Sequence, residues 1–244
     1  MSGFETIIYE KKEGIGYVTL NRPQVLNVYN LKMRDELYQI LGAIKDDSEV
    51  KVAVFRGAGE RAFCAGADLT EFLTAPSPTI ARQARWERDI WGLFLSLPQP
   101  VIAALHGYVL GSGIEIALCC DLRIASEDVQ FGLPETGLGI IPAAGATQTL
   151  PRTIGRAKTL EMLLAGTRLN AQEALHLGLV NQIVPREQLF PTTEKIARRI
   201  ASHSQPVVKY TKFAILHGLD LTLEQGLELE NRLTSLALKI RYAE

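Results

Sequence analysis

The 244-residue sequence is poor in the residues on which several common chemistries depend. Its three cysteines, Cys64, Cys119 and Cys120, are too few and too badly spaced for a disulfide framework, because adjacent cysteines rarely bridge each other. They read as reduced thiols. The four histidines, at 106, 176, 203 and 217, have neither a two-histidine helical spacing nor a nearby cysteine pair, so a structural or catalytic metal is not expected. No apolar run approaches the roughly 18 residues of a membrane span. The first ten residues carry two glutamates and no basic residue, unlike a secretory signal or an arginine-rich transit peptide. Neither sign of charge dominates: 26 Lys and Arg face 27 Asp and Glu, a formal net charge of −1. The chain therefore has no global attraction for phosphate backbones or anionic lipid. These absences argue against a secreted scaffold, a membrane protein and a nucleic-acid binder, and point to a cytoplasmic protein.

What is present is the composition of a globular enzyme, 47% hydrophobic and 22% charged, at a length that one large α/β domain can reach. Alternation in Thr6–Glu10 and Gly16–Leu20 around Lys12-Glu13-Gly14 predicts a hairpin. Helical spacing of Leu31, Leu37, Ile40, Leu41 and Ile44 precedes a short apolar strand, Val50–Phe55. A helix is expected over Ile80–Ser96, then a buried strand at Val101–Leu105, a helix over Ser112–Leu118, and strands at Leu122–Ala125 and Val129–Phe131. Asn170 reads as the N-cap of a helix that Gly178 ends. From Arg186 the pattern is almost wholly helical, with an amphipathic stretch at Leu221–Leu238. The simplest division is a core domain over 1–185 and a C-terminal helical region over 186–244.

Two glycine-rich clusters follow strands: Arg61–Leu69, and His106-Gly107 through Gly111-Ser112-Gly113-Ile114-Glu115. Open α/β sheets build ligand sites at such positions. Glycine lets backbone amides approach a developing negative charge, as an oxyanion hole requires. On this signal alone a plain turn between packed elements is the better reading of either cluster. The second lacks the third glycine of a dinucleotide fingerprint, and neither contains a serine nucleophile elbow. Ser112 and Glu115 have the spacing of a capping box, and on spacing alone the cap is the better reading. The nearly apolar helix around Glu115 weakens it, because a carboxylate buried there must be paired, protonated or in use. Glu135 is the only charge between Gln130 and Arg152. It reads either as a loop cap or as a carboxyl whose apolar surroundings raise its pKa for acid/base work.

Taken in order, the motifs resemble the enoyl-CoA hydratase/isomerase (crotonase) superfamily over nearly the whole chain. They are Leu20-Asn21-Arg22-Pro23 with Asn27, Phe63–Leu69, His106–Glu115, Cys120–Ala125, Phe131-Gly132-Leu133-Pro134-Glu135, Gly139-Ile140-Ile141-Pro142, Leu150-Pro151-Arg152 and Ala174–Val180. The resemblance implies a spiral of β-β-α units and C-terminal helices that build trimers, often paired into hexamers. It implies an acyl-CoA thioester substrate, with coenzyme A part of the substrate and no separate cofactor. The thioester oxygen would meet the amides of Ala67 and Ser112, and Glu115 and Glu135 would form the acid/base pair of a hydratase. An isomerase or a hydratase of cyclic or dienoyl thioesters uses the same scaffold, and a non-catalytic acyl-CoA-binding scaffold is the rival from another class. Coenzyme A would lie along Ala65, Gly66, Ala67, Asp68 and Leu69, its adenine near Leu26 and Ala65, with Arg22 and Arg61 toward the phosphates. Ser112 stands where glycine is common, and Tyr29 is bulkier than the small or aliphatic residue often found after the asparagine motif. Family members commonly carry a further helix and basic tail after the position of Glu244, so either a more open acyl pocket or additional chain is expected.

Overall fold

The computed structural model describes residues 3–72 and 87–241. A six-stranded sheet runs in the order β1 (Ile7–Lys12), β2 (Ile15–Leu20), β3 (Val52–Gly57), β5 (Val101–Leu105), β7 (Leu122–Ser126) and β10 (Gln182–Val184). The β1–β2 hairpin is antiparallel and every other pairing in this sheet is parallel. A second sheet holds β4 (Ala62–Cys64), β6 (Tyr108–Leu110), β8 (Gln130–Gly132) and β9 (Leu169–Asn170). The chain thus passes from large sheet to small sheet three times, as β3–β4, β5–β6 and β7–β8, before returning through helical structure. This is the spiral of β-β-α units.

Composition places the layers. β5 is apolar and buried throughout, as befits a central parallel strand covered on both faces. One face of the large sheet meets the small sheet and α1 (Leu31–Asp46), where Met33, Leu37, Ile40, Leu41 and Ile44 repeat at helical spacing. Asn30 caps α1 by accepting from the Met33 N–H. The opposite face, with Val52, Val54, Ile102, Ala104 and Ile124, packs on Leu189, Ala197 and Ala201.

The remaining helices are α2 (Leu69–Phe72), α3 (Ile90–Leu95), α4 (Ser112–Leu118), α5 (Ala146–Ile154), α6 (Arg156–Ala165), α7 (Ala171–His176), α8 (Leu189–Ala201), α9 (Gln205–Gly218) and α10 (Leu223–Arg241). The sheet's second face is therefore covered by α8, from the C-terminal region. Among the described residues no helix is long and apolar enough to cross a membrane.

Several boundaries differ from expectation. The helix expected over Ile80–Ser96 lies partly outside the described residues, and what is described of it is broken at Asp89. There the carboxylate accepts from the Gly92 N–H and starts α3 afresh, the usual effect of aspartate at an N-cap. The strand expected from Val50 begins at Val52 and runs to Gly57, because Lys51 and Val52 first bond back to the Gly14 carbonyl. The long helix expected at Leu221 starts at Leu223, after Thr222.

Candidate active site

Three segments meet at the candidate site. The first is the loop after β2. Asn27 is wholly buried, accepts from the Arg22 N–H (2.9 Å), and donates to the carbonyls of Ala58 (2.9 Å) and Ala62 (2.8 Å). These bonds hold Leu26 and Asn27 at φ 59° and 55°, a left-handed pair that non-glycine residues adopt only at a cost. The loop then runs beside the first glycine cluster. Ala65 N–H donates to Leu26 O, Tyr29 N–H to Gly66 O and Asp68 N–H to Tyr29 O, at 2.8–3.0 Å. Arg22 donates to Val28 O and forms an ion pair with Asp68 at 3.1 Å. Hydrogen bonds from Thr70 hold the Asp68 carboxyl below its usual range, partial burial opposes them, and Arg22 adds to the lowering. Arg22, Leu26, Ala65, Gly66, Ala67 and Asp68 are thus brought together. Leu69 begins α2 and is 47% exposed. The guanidinium of Arg22 is engaged inward, whereas Arg61 is exposed.

This ladder orients one amide. Tyr29 bonds the residues on either side of Ala67 in a parallel bridge, so the N–H and C=O of Ala67 itself point away from Tyr29. The second segment, the β6–α4 turn, lies close by. Gly111 donates to Gly132 O (3.0 Å) and has φ 49°, ψ −121°, a conformation for which glycine is required. A Cβ built on Gly111 would stand 3.4 Å from the Gly66 Cα and 2.7 Å from Oε1 of Glu135. Both glycine turns and one carboxylate therefore converge. Among the described residues, the N–H groups of Ala67 and Ser112 donate to no backbone carbonyl.

Glu115 projects from α4 and is 3% exposed. Its Oε1 accepts from the Ala144 (2.8 Å) and Ala146 (3.2 Å) N–H groups. The capping-box reading of Ser112 and Glu115 is overturned: the N-cap is Gly111, Ser112 is already the first helical residue, and no side chain caps the helix. A one-residue shift in the start of the helix takes the glutamate off the capping position.

The third segment is the turn after β8. Glu135 is 9% exposed, and its side chain makes no cap either. Among the described residues its buried Oε2 has no partner. Burial raises its pKa above the usual value near 4.5, and the negative charge of Glu115 raises it further, against a hydrogen bond to its own backbone. The two carboxyls are thus differently set: Glu115 is held by two amides, and Glu135 is biased toward its protonated form.

Other candidates are less suited. Burial pushes the Cys64 thiol up to about 11 and the Cys119 thiol up to about 12, so neither supplies a thiolate near neutral pH. No group of three or more His, Cys, Asp or Glu among the described residues is placed to hold a metal ion. A cavity of about 280 Å³ borders the site through Leu110, Leu133 and Pro134, but neither carboxylate lines it. The amides of Ala144 and Ala146 are not among the residues that the sequence singles out. Their signal is the small-residue run Ala143-Ala144-Gly145 leading into α5, where first-turn N–H groups lack helical partners.

The spiral of β-β-α units, with a glycine turn after two of its strand pairs, defines a crotonase-type fold, and comparison with known proteins agrees on that fold. The enoyl-CoA hydratase/isomerase family model matches residues 10–239. A Bacillus subtilis protein with the same hydratase/isomerase description is 43% identical over 222 residues, covering 91% of this chain and 85% of that one. A crotonyl-CoA hydratase of Syntrophomonas wolfei is 38% identical, with 93% and 87% covered. The crystal structure of an enoyl-CoA hydratase from Bacillus anthracis superposes with a TM-score of 0.90 at 39% identity, over 95% of this chain and 90% of that one. The chain belongs to the enoyl-CoA hydratase/isomerase family.

Proposed function

We propose that the protein is an enoyl-CoA hydratase, adding water across the 2,3 double bond of a 2-enoyl-CoA thioester. The observation that carries this reading is the junction at Gly111, where the Gly66 turn and the Glu135 carboxylate lie within 3.4 Å and 2.7 Å of the same point. The next residue after each glycine, Ala67 and Ser112, supplies an N–H to the thioester oxygen. Each donor of this kind is worth about 3 kcal/mol when it meets the developing enolate rather than the ground state.

Glu115 takes a proton from water as the water oxygen bonds to C3. The C2–C3 π electrons move toward the thioester oxygen, forming the enolate held by the two amides. Glu135 then gives its proton to C2 as the thioester carbonyl re-forms. Proton exchange between the carboxyls restores the starting state, and because they titrate as a coupled pair the two duties can exchange. The raised pKa of Glu135 and the two amides that hold Glu115 support this division. Coenzyme A enters as part of the substrate, along Leu26 and the Ala65–Leu69 loop, and no further cofactor takes part.

In this reading the enzyme is cytoplasmic, in keeping with three free cysteines, and a homotrimer or homohexamer. The C-terminal helices make the contacts between copies: Leu219 and Leu223 are each 80% exposed, and Phe213 and Ile215 also face outward.

The test is loss of the conjugated thioester absorbance of crotonyl-CoA, with product identified as the 3-hydroxyacyl thioester. Glu115→Gln and Glu135→Gln are each expected to lower the rate by about 100-fold or more. Wild-type rates in either variant would remove that residue from the chemistry. A shifted double bond without uptake of water would replace hydration by isomerisation.

A further inference from the structure

The family resemblance points Arg22 toward the phosphates of coenzyme A, but in the structure its guanidinium is taken up inside the protein. Nη1 donates to the Val28 carbonyl (2.8 Å) and to Oδ2 of Asp68 (3.1 Å), and Nη2 donates to the same Oδ2 (3.1 Å). The two side chains are 17% and 15% exposed, so water and salt screen this pair less than a surface one. Both partners are anchored a second time. The Arg22 N–H donates to Oδ1 of Asn27 and the Arg22 carbonyl accepts from the Asn27 N–H, each at 2.9 Å. The other carboxylate oxygen of Asp68 accepts from the Thr70 hydroxyl (2.7 Å) and the Thr70 N–H (3.3 Å). Between these anchors lies the residue whose amide is assigned to the thioester oxygen. Val28 precedes Tyr29 and Asp68 follows Ala67, so the guanidinium joins the two chains of the Tyr29–Ala67 bridge. That bridge is isolated from any longer ladder and rests on two backbone hydrogen bonds, Tyr29 N–H to Gly66 O and Asp68 N–H to Tyr29 O, both 2.8 Å.

We infer that Arg22 and Asp68 are positioning residues: their ion pair clamps the Tyr29–Ala67 bridge and so fixes the Ala67 amide where negative charge develops on the thioester oxygen. This rests on the hydratase reading above. The pair contributes to the rate and not to the binding of coenzyme A phosphates. An oxyanion donor stabilises the enolate only if its place is set before the reaction, and a misplacement of about 1 Å costs on the order of 100-fold.

The test measures kcat and KM per folded molecule for crotonyl-CoA and for crotonyl-pantetheine, which lacks every phosphate of coenzyme A. Relative to wild type with the same substrate, Arg22→Met and Asp68→Ala are each expected to lower kcat by about tenfold or more with both thioesters. The double variant should be no slower than the slower single one, because both changes remove the same pair. A loss confined to crotonyl-CoA would return Arg22 to the phosphates and overturn the inference. So would losses that multiply in the double variant, or a wild-type kcat per folded molecule, the mark of a purely structural pair. If Arg22→Met does not fold, Arg22→Lys keeps the charge and allows the same comparison: equal loss with the two thioesters is expected, and loss with crotonyl-CoA alone overturns the inference. Should wild type turn over neither thioester, the hydratase reading falls, and amide hydrogen exchange then tests the clamp by itself. The Tyr29 and Asp68 N–H groups should exchange about tenfold faster or more once Arg22 is replaced, and unchanged exchange at both would overturn the clamp.

Discussion

Replacing Gly111 by alanine tests the convergence of the site through a single methyl group. The methyl carbon would lie 2.7 Å from Glu135 Oε1, and ordinary contact begins near 3.4 Å, so the carboxylate must retreat by about 0.7 Å. Retreat is possible because that oxygen ends a flexible side chain, so the clash itself adds little to folding energy. The backbone is less forgiving: φ 49°, ψ −121° costs an alanine about 1–3 kcal/mol. Urea unfolding should therefore show a lower midpoint with an unchanged slope. Activity should fall further than stability, because misplacing a catalytic group by close to 1 Å costs on the order of 100-fold. Gly178→Ala is the control, since Gly178 has φ 75° and open space around its would-be Cβ. It should lose about 1 kcal/mol of stability and keep its rate. Full activity in folded Gly111→Ala would mean that neither the Glu135 position nor the amide after Gly111 matters to the reaction.

Two further predictions concern charge and assembly. Because the folded-state pKa of Glu135 is raised, the folded protein holds a proton that the unfolded chain has released, over the interval between the ordinary value near 4.5 and the raised one. The stability of wild type should fall relative to Glu135→Gln as pH rises through that interval and level off above it; urea midpoints whose difference is flat with pH would refute this. The double variant Leu219→Glu, Leu223→Glu should convert a trimer or hexamer to a folded monomer in sedimentation, and a wild-type monomer would refute the assembly.

How much could be read from the sequence depended on how local the cause was. The helix Ser112–Leu118 was legible because glycines precede it and its body is almost entirely apolar. The Asn170 cap was legible because the capping box with Glu173 closes within four residues. The same local logic failed at Ser112 and Glu115, where identical spacing occurs one residue out of phase with the N-cap. Asn27 was visible as a motif residue but not as a keystone, since its partners Ala58 and Ala62 are more than thirty positions away. The Tyr29–Ala67 bridge and the amides of Ala144 and Ala146 are likewise products of long-range pairing. The residue types of the site were readable from the chain; their meeting at Gly111 required the spiral.

The cover that α8 forms over the large sheet bears on biosynthesis. Val52, Val54 and Ile102 leave the ribosome long before Leu189 and Ala197, which shield them in the finished protein. At about 5–20 residues per second the interval from Val52 to Leu189 is roughly 7 to 27 seconds, during which one face of the large sheet stays bare or the sheet waits to form. Exposed apolar strands are prone to aggregate. The nascent chain is therefore vulnerable until α8 arrives, and a stop codon anywhere before α8 should yield an insoluble product rather than a smaller working enzyme.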